Sequence, residues 1–224
     1  SNDRNVYCLN AYTGEPIWTF QTNEPKMTTF GSTPAIVGDR IIIGPDDSNI
    51  YCLDADNGDE IWRVSTGTYR PAEASLGQHN IRSSPVIYNN KIYVGSMHDG
   101  KLYCVSMSGS VEWSTEIAGG DPILGSAVTD GTYIYIMGWD ANIYKLDMNG
   151  NILLNFQIAT GGSSMWSSFW GVNSFTPTVD GERLWVGGTN DQFRCYNTTD
   201  GELIYEGTQP NVEGETSHGS MVYV

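Results

Sequence analysis

Short runs of alternating apolar and polar residues recur along the chain, and each run ends at a turn rich in Gly, Asn or Asp. In the clearest copy the runs cover residues 84–88, 91–95, 101–105 and 111–117. Asn-Asn, Asp-Gly and Ser-Gly dipeptides separate them. Alternation with a period of two is typical of half-buried strands, and these dipeptides are typical of tight hairpin turns. Because no stretch has helical periodicity over a useful length, the sequence predicts an all-β chain of antiparallel strands.

The unit of four strands repeats, and its most regular part is the segment 49–62, which reads Asn-Ile-Tyr-Cys-Leu-Asp-Ala-Asp-Asn-Gly-Asp-Glu-Ile-Trp. The third strand of the unit ends at a polar residue, the chain crosses a Gly turn, and the fourth strand carries a large apolar residue. The position of Cys52 recurs at Cys8, Cys104, Lys145 and Cys195, so the intervals along the chain are 44, 52, 41 and 50 residues. Four strands in a repeat of this length predict the blades of a β-propeller.

The two ends of the chain fall inside blades. The chain begins in the third strand of one blade, and residues 217–224 resemble the start of another. The sequence therefore predicts four complete blades and two partial ones, in a single domain or a fragment of one over residues 1–224. Two arrangements fit: the ends join in one sheet and close a five-bladed ring, or the chain is an excised part of a larger propeller. An open arc would expose an apolar sheet face that needs a partner.

A large side chain ends each repeat and is predicted to hold the blades together. It is Trp18, Trp62 and Trp113 in the first three copies, then Leu154 and Tyr205. A blade has two apolar faces and buries them by stacking on its neighbours, so a large ring at this position can dock on the adjacent blade. Leu154 and Tyr205 predict weaker contacts in the last two copies.

The four cysteines occupy one position of the repeat, at Cys8, Cys52, Cys104 and Cys195. Packed sheets lie about 10 Å apart, whereas a disulfide needs Cα atoms within about 7 Å. The thiols are therefore predicted to be free and buried, which would suit a reducing or anoxic setting. The paired spacing of a zinc site is absent, and no metal site is predicted.

Charge excludes one class of partner. The chain has 11 Lys and Arg against 26 Asp and Glu, a formal net charge of -15. Nucleic acid is excluded as a partner because binding to phosphate depends on Lys and Arg.

No apolar run reaches the roughly 20 residues that span a bilayer, and no signal peptide is visible. The chain reads as a mature or excised piece, so the missing signal says little about its compartment.

Two long connections between blades, residues 63–82 and 155–174, hold the candidate binding residues, because long loops on a rigid scaffold often carry function. The candidates, with one histidine near the end of the chain, are Arg70, His79, Arg82, Trp166, Phe169, Trp170 and His218. Aromatic rings beside small hydroxyl residues suit a planar or sugar-like ligand. The alternative is that these rings hold the loop on the blade below or fill a protein interface.

The acidic residues give little support to catalysis, and no catalytic residue is predicted. Asp54 and Asp147 stand at repeat turns, which turn formation explains. Five further acids are placed at one set of hairpin tips and are expected to be solvated, with at most a weak attraction for Ca²⁺. They are Asp46, Asp47, Asp99, Asp140 and Asp191.

The repeat resembles a known family. A small residue, then Asp or Asn, a Thr-Gly or Asn-Gly turn and a Trp, preceded by Ser-x-Pro strands, is similar to the tryptophan-docking motif of the pyrroloquinoline-quinone (PQQ)-like, or quinoprotein-type, β-propellers. The resemblance implies seven or eight blades, and this chain has Cys where the family usually has Ala. The dehydrogenases of the family hold PQQ with Ca²⁺ and a vicinal Cys-Cys disulfide. Because this chain has no adjacent cysteines, no cofactor ligand is assigned to any residue.

The resemblance favours a non-catalytic propeller that binds or scaffolds other proteins, without a cofactor. It implies an extracytoplasmic protein, either an envelope-assembly factor in the periplasm or the ectodomain of a surface or sensor protein. The partner would be another protein or the remaining blades of a larger propeller, and no insertion into a membrane is expected. One alternative is a fragment of a PQQ-dependent alcohol or aldehyde dehydrogenase, with PQQ and Ca²⁺ as cofactors. A second alternative is a propeller that binds carbohydrate through Trp166 and Trp170.

Overall fold

A computed structural model describes most of the chain. It covers residues 3–22, 32–44, 47–67, 83–97, 99–120, 123, 125–138, 140, 142–157, 176–187 and 192–208. Within these ranges there are 18 strands and one short 3₁₀ helix at Ala118–Gly120. No helix in them is long and apolar enough to cross a membrane.

Each sheet is an antiparallel meander of consecutive strands, and we number these sheets as blades 1 to 5. Blade 1 contains β1 (Asn5–Leu9) and β2 (Pro16–Gln21). Blade 2 contains β3 (Ala35–Val37), β4 (Arg40–Ile43), β5 (Asn49–Asp54) and β6 (Glu60–Ser65). Blade 3 contains β7 (Val86–Tyr88), β8 (Lys91–Gly95), β9 (Lys101–Ser106) and β10 (Val111–Glu116). Blade 4 contains β11 (Val128–Thr129), β12 (Tyr133–Met137), β13 (Asn142–Asp147) and β14 (Ile152–Gln157). Blade 5 contains β15 (Thr178–Asp180), β16 (Arg183–Gly187), β17 (Gln192–Asn197) and β18 (Leu203–Thr208).

The predicted all-β propeller of four-stranded antiparallel blades is confirmed, with blades 2 to 5 complete in four strands and blade 1 described by two. The second partial blade, predicted at residues 217–224, lies outside the described residues. First strands are shorter than the alternation suggested: β7 begins at Val86, after Pro85, because proline cannot donate to the sheet ladder. Asn89 and Asn90 both have positive φ, 48° and 59°, as a type I′ hairpin requires.

The apolar core lies between the blades, in one cluster for each pair of neighbours. At the contact between blades 3 and 4, Tyr93 and Leu102 of one sheet pack with Ile134 and Leu146 of the next. Equivalent clusters join blades 2 and 3, blades 4 and 5, and blades 1 and 2. We call each of these contacts a seam. Stability therefore comes from neighbouring repeats, as expected of a repeat architecture.

Hydroxyl groups connect the segments that lead into the first strands of blades 2 to 5. The backbone N–H of Thr33 donates to Oγ of Ser84 at 2.9 Å, and the N–H of Ser84 donates to Oγ of Ser126 at 2.8 Å. The N–H of Ser126 donates in turn to Oγ1 of Thr176 at 3.2 Å. These residues come from the Ser-x-Pro motif or its equivalents, so the motif supplies acceptors for backbone N–H groups just before the first strand of a blade.

A β-bulge interrupts the pairing of the third and fourth strands at the same place in every blade. In blade 2 Cys52 lies opposite Trp62 and Leu53 lies opposite Glu60, so Ile61 is the extra residue. The same shift occurs in the other four blades. A bulge redirects the side chains that follow it. The register thus places Trp62 on the same sheet face as Cys52 and leaves Ile61 exposed.

Candidate functional site

The candidate ligand-binding residues from the sequence all lie outside the described residues. They are Arg70, His79, Arg82, Trp166, Phe169, Trp170 and His218. The described part of the chain instead contains the repeated polar and aromatic contacts of the seams, and a shallow pocket lies beside one of these contacts.

Each tryptophan reaches across its seam to the Gly turn of the next blade. Nε1 of Trp62 donates to the backbone oxygen of Met107 at 3.1 Å, and Nε1 of Trp113 donates to that of Met148, also at 3.1 Å. Nε1 of Trp18 makes the same bond to Ala55 at 3.0 Å. The indole ring therefore covers apolar surface, and its N–H donates to a backbone carbonyl of the turn. A buried indole N–H usually has such an acceptor.

The glycine of each turn is required by space and by backbone conformation. A Cβ at Gly58 would lie 2.5 Å from the ring of Trp18, and a Cβ at Gly109 would lie 2.7 Å from the ring of Trp62. Gly58 has φ +78° and Gly109 has φ +84°, in the left-handed region that glycine adopts without strain. The recurring Gly and Trp are thus two parts of one contact, and we call the Gly turn that receives a ring a seat.

The four cysteines are free, as predicted, but only Cys52, Cys104 and Cys195 are buried, whereas Cys8 in blade 1 is partly exposed. Cys52 and Cys104 are fully buried, and burial raises the pKa of each thiol to about 11. A thiol with that pKa is almost entirely protonated at neutral pH and reacts slowly with oxidants. Burial therefore explains the free state in any compartment, and the reducing or anoxic setting expected from the cysteines has no support.

The sequence predicted that the acidic residues at the hairpin tips are solvated, and for the described ones this prediction is wrong. The hydroxyl of Tyr51 donates to Asp47 at 2.6 Å, and Asp47 is only 3% exposed. Burial raises the pKa of Asp47, although hydrogen bonds from Tyr51 and Asn49 oppose that rise. Blades 3 and 4 repeat the contact with Tyr103 and Asp99 at 2.5 Å and with Tyr144 and Asp140 at 2.6 Å, and blade 1 repeats it with Tyr7 and Asp3 at 2.5 Å. In blades 2 to 4 these acids act as acceptors for tyrosines that face the preceding seam; Asp46 and Asp191 lie outside the described residues.

The seam between blades 4 and 5 replaces the tryptophan with two other residues. Leu154 lies opposite Lys145 where the other blades have Trp opposite Cys. The ring comes from Phe156, which lies against Gly201 so closely that a Cβ there would be 2.7 Å away. The donor is Nζ of Lys145, at 2.8 Å from the backbone oxygen of Thr198 and 3.9 Å from the ring centroid of Tyr133. The weak contact expected from Leu154 alone is therefore supplemented by a phenyl ring and a charged donor.

Blade 5 departs from the repeat on both faces. Toward blade 4, Arg194 stands where the other blades have tyrosine, and its Nη2 pairs with Glu206 at 3.3 Å. On the opposite face, Tyr205 stands in the tryptophan position and packs on Phe193, with ring centroids 5.6 Å apart. The ring centroid of Trp185 lies 6.5 Å from that of Tyr205. This face is rich in aromatic side chains, and Tyr205 is 49% exposed.

A shallow pocket lies beside the tryptophan of the seam between blades 2 and 3. Its volume is ≈ 540 Å³, and its lining includes Arg40, Ile61, Trp62 and Met107. A guanidinium nitrogen of Arg40 donates to the backbone oxygen of Met107, the acceptor that Trp62 also uses. The cation therefore reinforces the seam, and the pocket is a surface depression over that contact.

The described residues do not fit PQQ with Ca²⁺. They contain no group of three or more His, Cys, Asp or Glu side chains arranged to hold a metal ion. The carboxylates of Asp47, Asp99 and Asp140 already accept bonds from tyrosines. The four cysteines of this sequence are separated along the chain and free, so none of them belongs to a vicinal disulfide.

Comparison with known proteins identifies the repeat. Residues 1–153, more than half of the chain, match the family described as outer membrane protein assembly factor BamB. The comparison with curated protein sequences found no match.

Solved structures share the fold. The crystal structure of BamB from Moraxella catarrhalis aligns with a TM-score of 0.76 at 19% identity, over 93% of this chain and 60% of that one. The computationally designed Ika8 protein aligns with a TM-score of 0.70 at 10% identity, over 100% of this chain and 61% of that one. The chain thus spans about 60% of these structures. At such identities the likeness concerns the fold alone, and a fold does not imply a function.

Proposed function

Because the chain belongs to the PQQ-like repeat family described as outer membrane protein assembly factor BamB, we propose that it is a non-catalytic propeller that binds proteins during assembly of the outer membrane. Its place would then be the periplasm or the cell surface. The partner would be another protein that takes part in assembly. The family match is the observation that carries this proposal.

The chemistry of the repeat supports a binding role over a catalytic one. In the described blades, indoles donate to carbonyls, carboxylates accept from tyrosines, and three of the four thiols are buried. Groups that act in acid–base or nucleophilic catalysis need to be available to a substrate, within hydrogen-bond reach of the reacting atoms. The repeated side chains are engaged within the fold, which leaves its surface and connections for recognition.

We further propose that the two long connections between blades form the binding face. They carry Arg70, His79 and Arg82 on one loop and Trp166, Phe169 and Trp170 on the other, with His218 as a further candidate. Trp and Arg are the residues that most often dominate binding energy in protein interfaces. In a chain with a net charge of -15, a group of arginines and aromatic rings would stand out from the acidic surface.

Binding to purified protein components of outer membrane assembly, measured by calorimetry, tests the proposal. We expect the double variant Trp166→Ala with Trp170→Ala to bind at least about tenfold more weakly, since each aromatic anchor typically contributes more than about 1 kcal/mol. The matched control is Tyr12→Ala, because Tyr12 is an aromatic residue that is 99% exposed on a turn of blade 1.

Two results would contradict the proposal. One is that no assembly component binds the intact chain. The other is turnover of an alcohol or aldehyde after PQQ and Ca²⁺ are added, which would support the dehydrogenase alternative. If a glycan panel binds the intact chain and the double variant loses that binding, the carbohydrate alternative replaces a protein partner.

A further inference from the structure

Two neighbouring seams carry a cation at the same position of the repeat. Arg40 lies opposite Asp54 on the paired strands of blade 2, and Lys91 lies opposite Ser106 on those of blade 3. The two cationic side chains are similarly accessible, 34% and 32% exposed. Each belongs to the blade that supplies the tryptophan of its seam, so the two positions can be compared directly.

The bulge residue beside the cation differs between these two blades. In blade 3 it is Glu112, whose Oε2 pairs with Nζ of Lys91 at 2.6 Å. In blade 2 it is Ile61, which is apolar and 43% exposed. The seam between blades 3 and 4 thus shows that a carboxylate fits beside the cation at this place, and the seam between blades 2 and 3 has no such group at the bulge.

The guanidinium of Arg40 has donors left for a further partner. It carries five N–H donors, and one of its terminal nitrogens donates to the backbone oxygen of Met107. Its Nε lies 3.8 Å from Oδ1 of Asp39, which is beyond hydrogen-bond distance. Within the described ranges Arg40 makes no other hydrogen bond or ion pair.

Arg40 lines the shallow pocket of this seam together with Ile61 and Trp62. The lining therefore combines a cation with an aliphatic side chain and an aromatic ring. A carboxylate on a short aliphatic stem matches it, because the carboxylate can pair with the guanidinium while the stem contacts the apolar residues. Small-molecule sites enclose most of the surface of their ligand. A shallow pocket therefore suits an acidic side chain that another protein holds in place.

The pocket lies at the end of the blades opposite the long connections. Its lining includes Gly38 and Ser108, in the turns that join β3 to β4 and β9 to β10. The connection that follows β6 leaves from Ser65, at the other end of that strand. Both walls of the pocket belong to blades that are complete in four strands.

We propose that this pocket is a second contact site, where Arg40 binds an acidic side chain of a partner protein. The carboxylate pairs with the guanidinium as Glu112 pairs with Lys91 one blade further on. This site goes beyond the binding face on the long connections, since it uses other residues at the opposite end of the blades. A propeller with a contact at each end can connect two proteins, which is what a scaffold does.

Nuclear magnetic resonance of the intact chain with two short peptides tests this proposal. The probes are acetyl-Leu-Glu-Leu-amide and acetyl-Leu-Gln-Leu-amide. The reporter is the indole N–H of Trp62, which shares its acceptor with Arg40. We expect a saturable shift with the Glu peptide and at least about tenfold weaker binding of the Gln peptide, because a bond between charged groups is lost. Arg40→Met should weaken binding of the Glu peptide by a similar factor.

Exchanging the bulge residues of the two blades sharpens the test. Ile61→Glu should abolish binding, because the new carboxylate pairs with Arg40 as Glu112 pairs with Lys91. The matched control is Ile61→Gln, which has the same shape without the charge and should keep binding within about threefold. Glu112→Ile leaves Lys91 without its carboxylate, so the Glu peptide should then also shift the indole signal of Trp113.

Circular dichroism of each variant establishes that the blades remain folded. The absence of a saturable response to the Glu peptide overturns the proposal, and so does equal binding of the two peptides. Unchanged binding in Arg40→Met or in Ile61→Glu also overturns it, because another surface is then responsible. Since the peptides contain no component of outer membrane assembly, this test succeeds or fails independently of the proposed function.

Discussion

Blade 4 makes a seam with a tryptophan on one side and a seam without a tryptophan on the other. Comparing the two seams separates the two tasks of the repeated tryptophan. Toward blade 3 it receives Trp113, whose Nε1 donates to the backbone oxygen of Met148 and whose ring lies on Gly150. Toward blade 5 it contributes Phe156, on Gly201, and Lys145, which donates to Thr198. One residue performs both tasks in the first seam, and two residues share them in the second.

The difference shows what the seam requires of its side chains. The turn of the next blade has a carbonyl that needs a donor, because an unpaired buried carbonyl is costly. It also has a glycine whose missing side chain leaves a hollow, and protein interiors are closely packed. A tryptophan opposite a small cysteine meets both needs. A lysine opposite a leucine meets the first need only, and the ring then has to come from a neighbouring position.

Removing Trp113 tests the tryptophan seam and should have the largest effect. We expect Trp113→Ala to lower the free energy of unfolding by about 3 kcal/mol, at the low end for a buried aromatic residue because the ring is only half buried. Equilibrium unfolding in urea measures the change.

Two phenylalanine variants separate the ring from the donor. Trp113→Phe should lose about 1 kcal/mol, since Met148 loses its donor. Trp62→Phe should lose less, because Arg40 still donates to the oxygen of Met107. Equal losses in Trp113→Ala and Trp113→Phe would mean that the ring contributes nothing to the seam.

Removing the cation of Lys145 tests the other seam. We expect Lys145→Met to lower the free energy of unfolding by about 2 kcal/mol, because the oxygen of Thr198 loses a charged donor in a buried place. Thermal and urea unfolding measure this. The control is Lys91→Met, which removes a partly exposed ion pair with Glu112 and should change stability by less than about 0.5 kcal/mol. Similar effects of the two variants would show that Lys145 is no more than another surface charge.

High pH should affect the tyrosine side of a seam. Burial and Asp140 raise the pKa of Tyr144 to about 12, so the native state keeps a proton that the unfolded chain loses above about pH 10. Stability should therefore fall between pH 10 and 12, by about 1.4 kcal/mol per pH unit for each such tyrosine. Tyr144→Phe removes one of these protons, so the free energy of unfolding should fall less steeply with pH. Urea unfolding midpoints across this pH range measure the slope. An unchanged alkaline slope in Tyr144→Phe would assign the decline to other groups.

Exchanging one seam for the other should have the smallest net effect. The triple variant Lys145→Cys, Leu154→Trp and Phe156→Val gives blade 4 the residues of blade 2 and should stay within about 1 kcal/mol of the natural chain. Leu154→Trp alone should lose about 2 kcal/mol, because the new ring and Lys145 compete for one space. Urea unfolding of both variants provides the measurement. A triple variant less stable than the single one would contradict the equivalence of the two seams.

The sequence predicted much of the fold and little of its contacts. Alternation and turn residues gave the strands, and the spacing of Cys and Trp gave the blades. The role of Phe156 was missed because it stands two residues beyond the aligned position of Leu154. The role of Lys145 was missed because its acceptor, Thr198, lies 53 residues away. The binding residues predicted in the long loops, such as Arg70 and Trp166, remain a prediction.

By itself the sequence determined the architecture, because a four-strand unit written four times in full, with partial copies beside them, can bury its apolar faces only by stacking. It also determined that the cysteines are free, since equivalent positions on neighbouring sheets are too far apart to bond. Only the tertiary structure decided the partner of each polar group: Asp47 with Tyr51, Trp113 with Met148, and Lys145 with Thr198. The reason is physical, since a repeat fixes which residues share a face, while bulges and neighbouring blades fix which donor meets which acceptor.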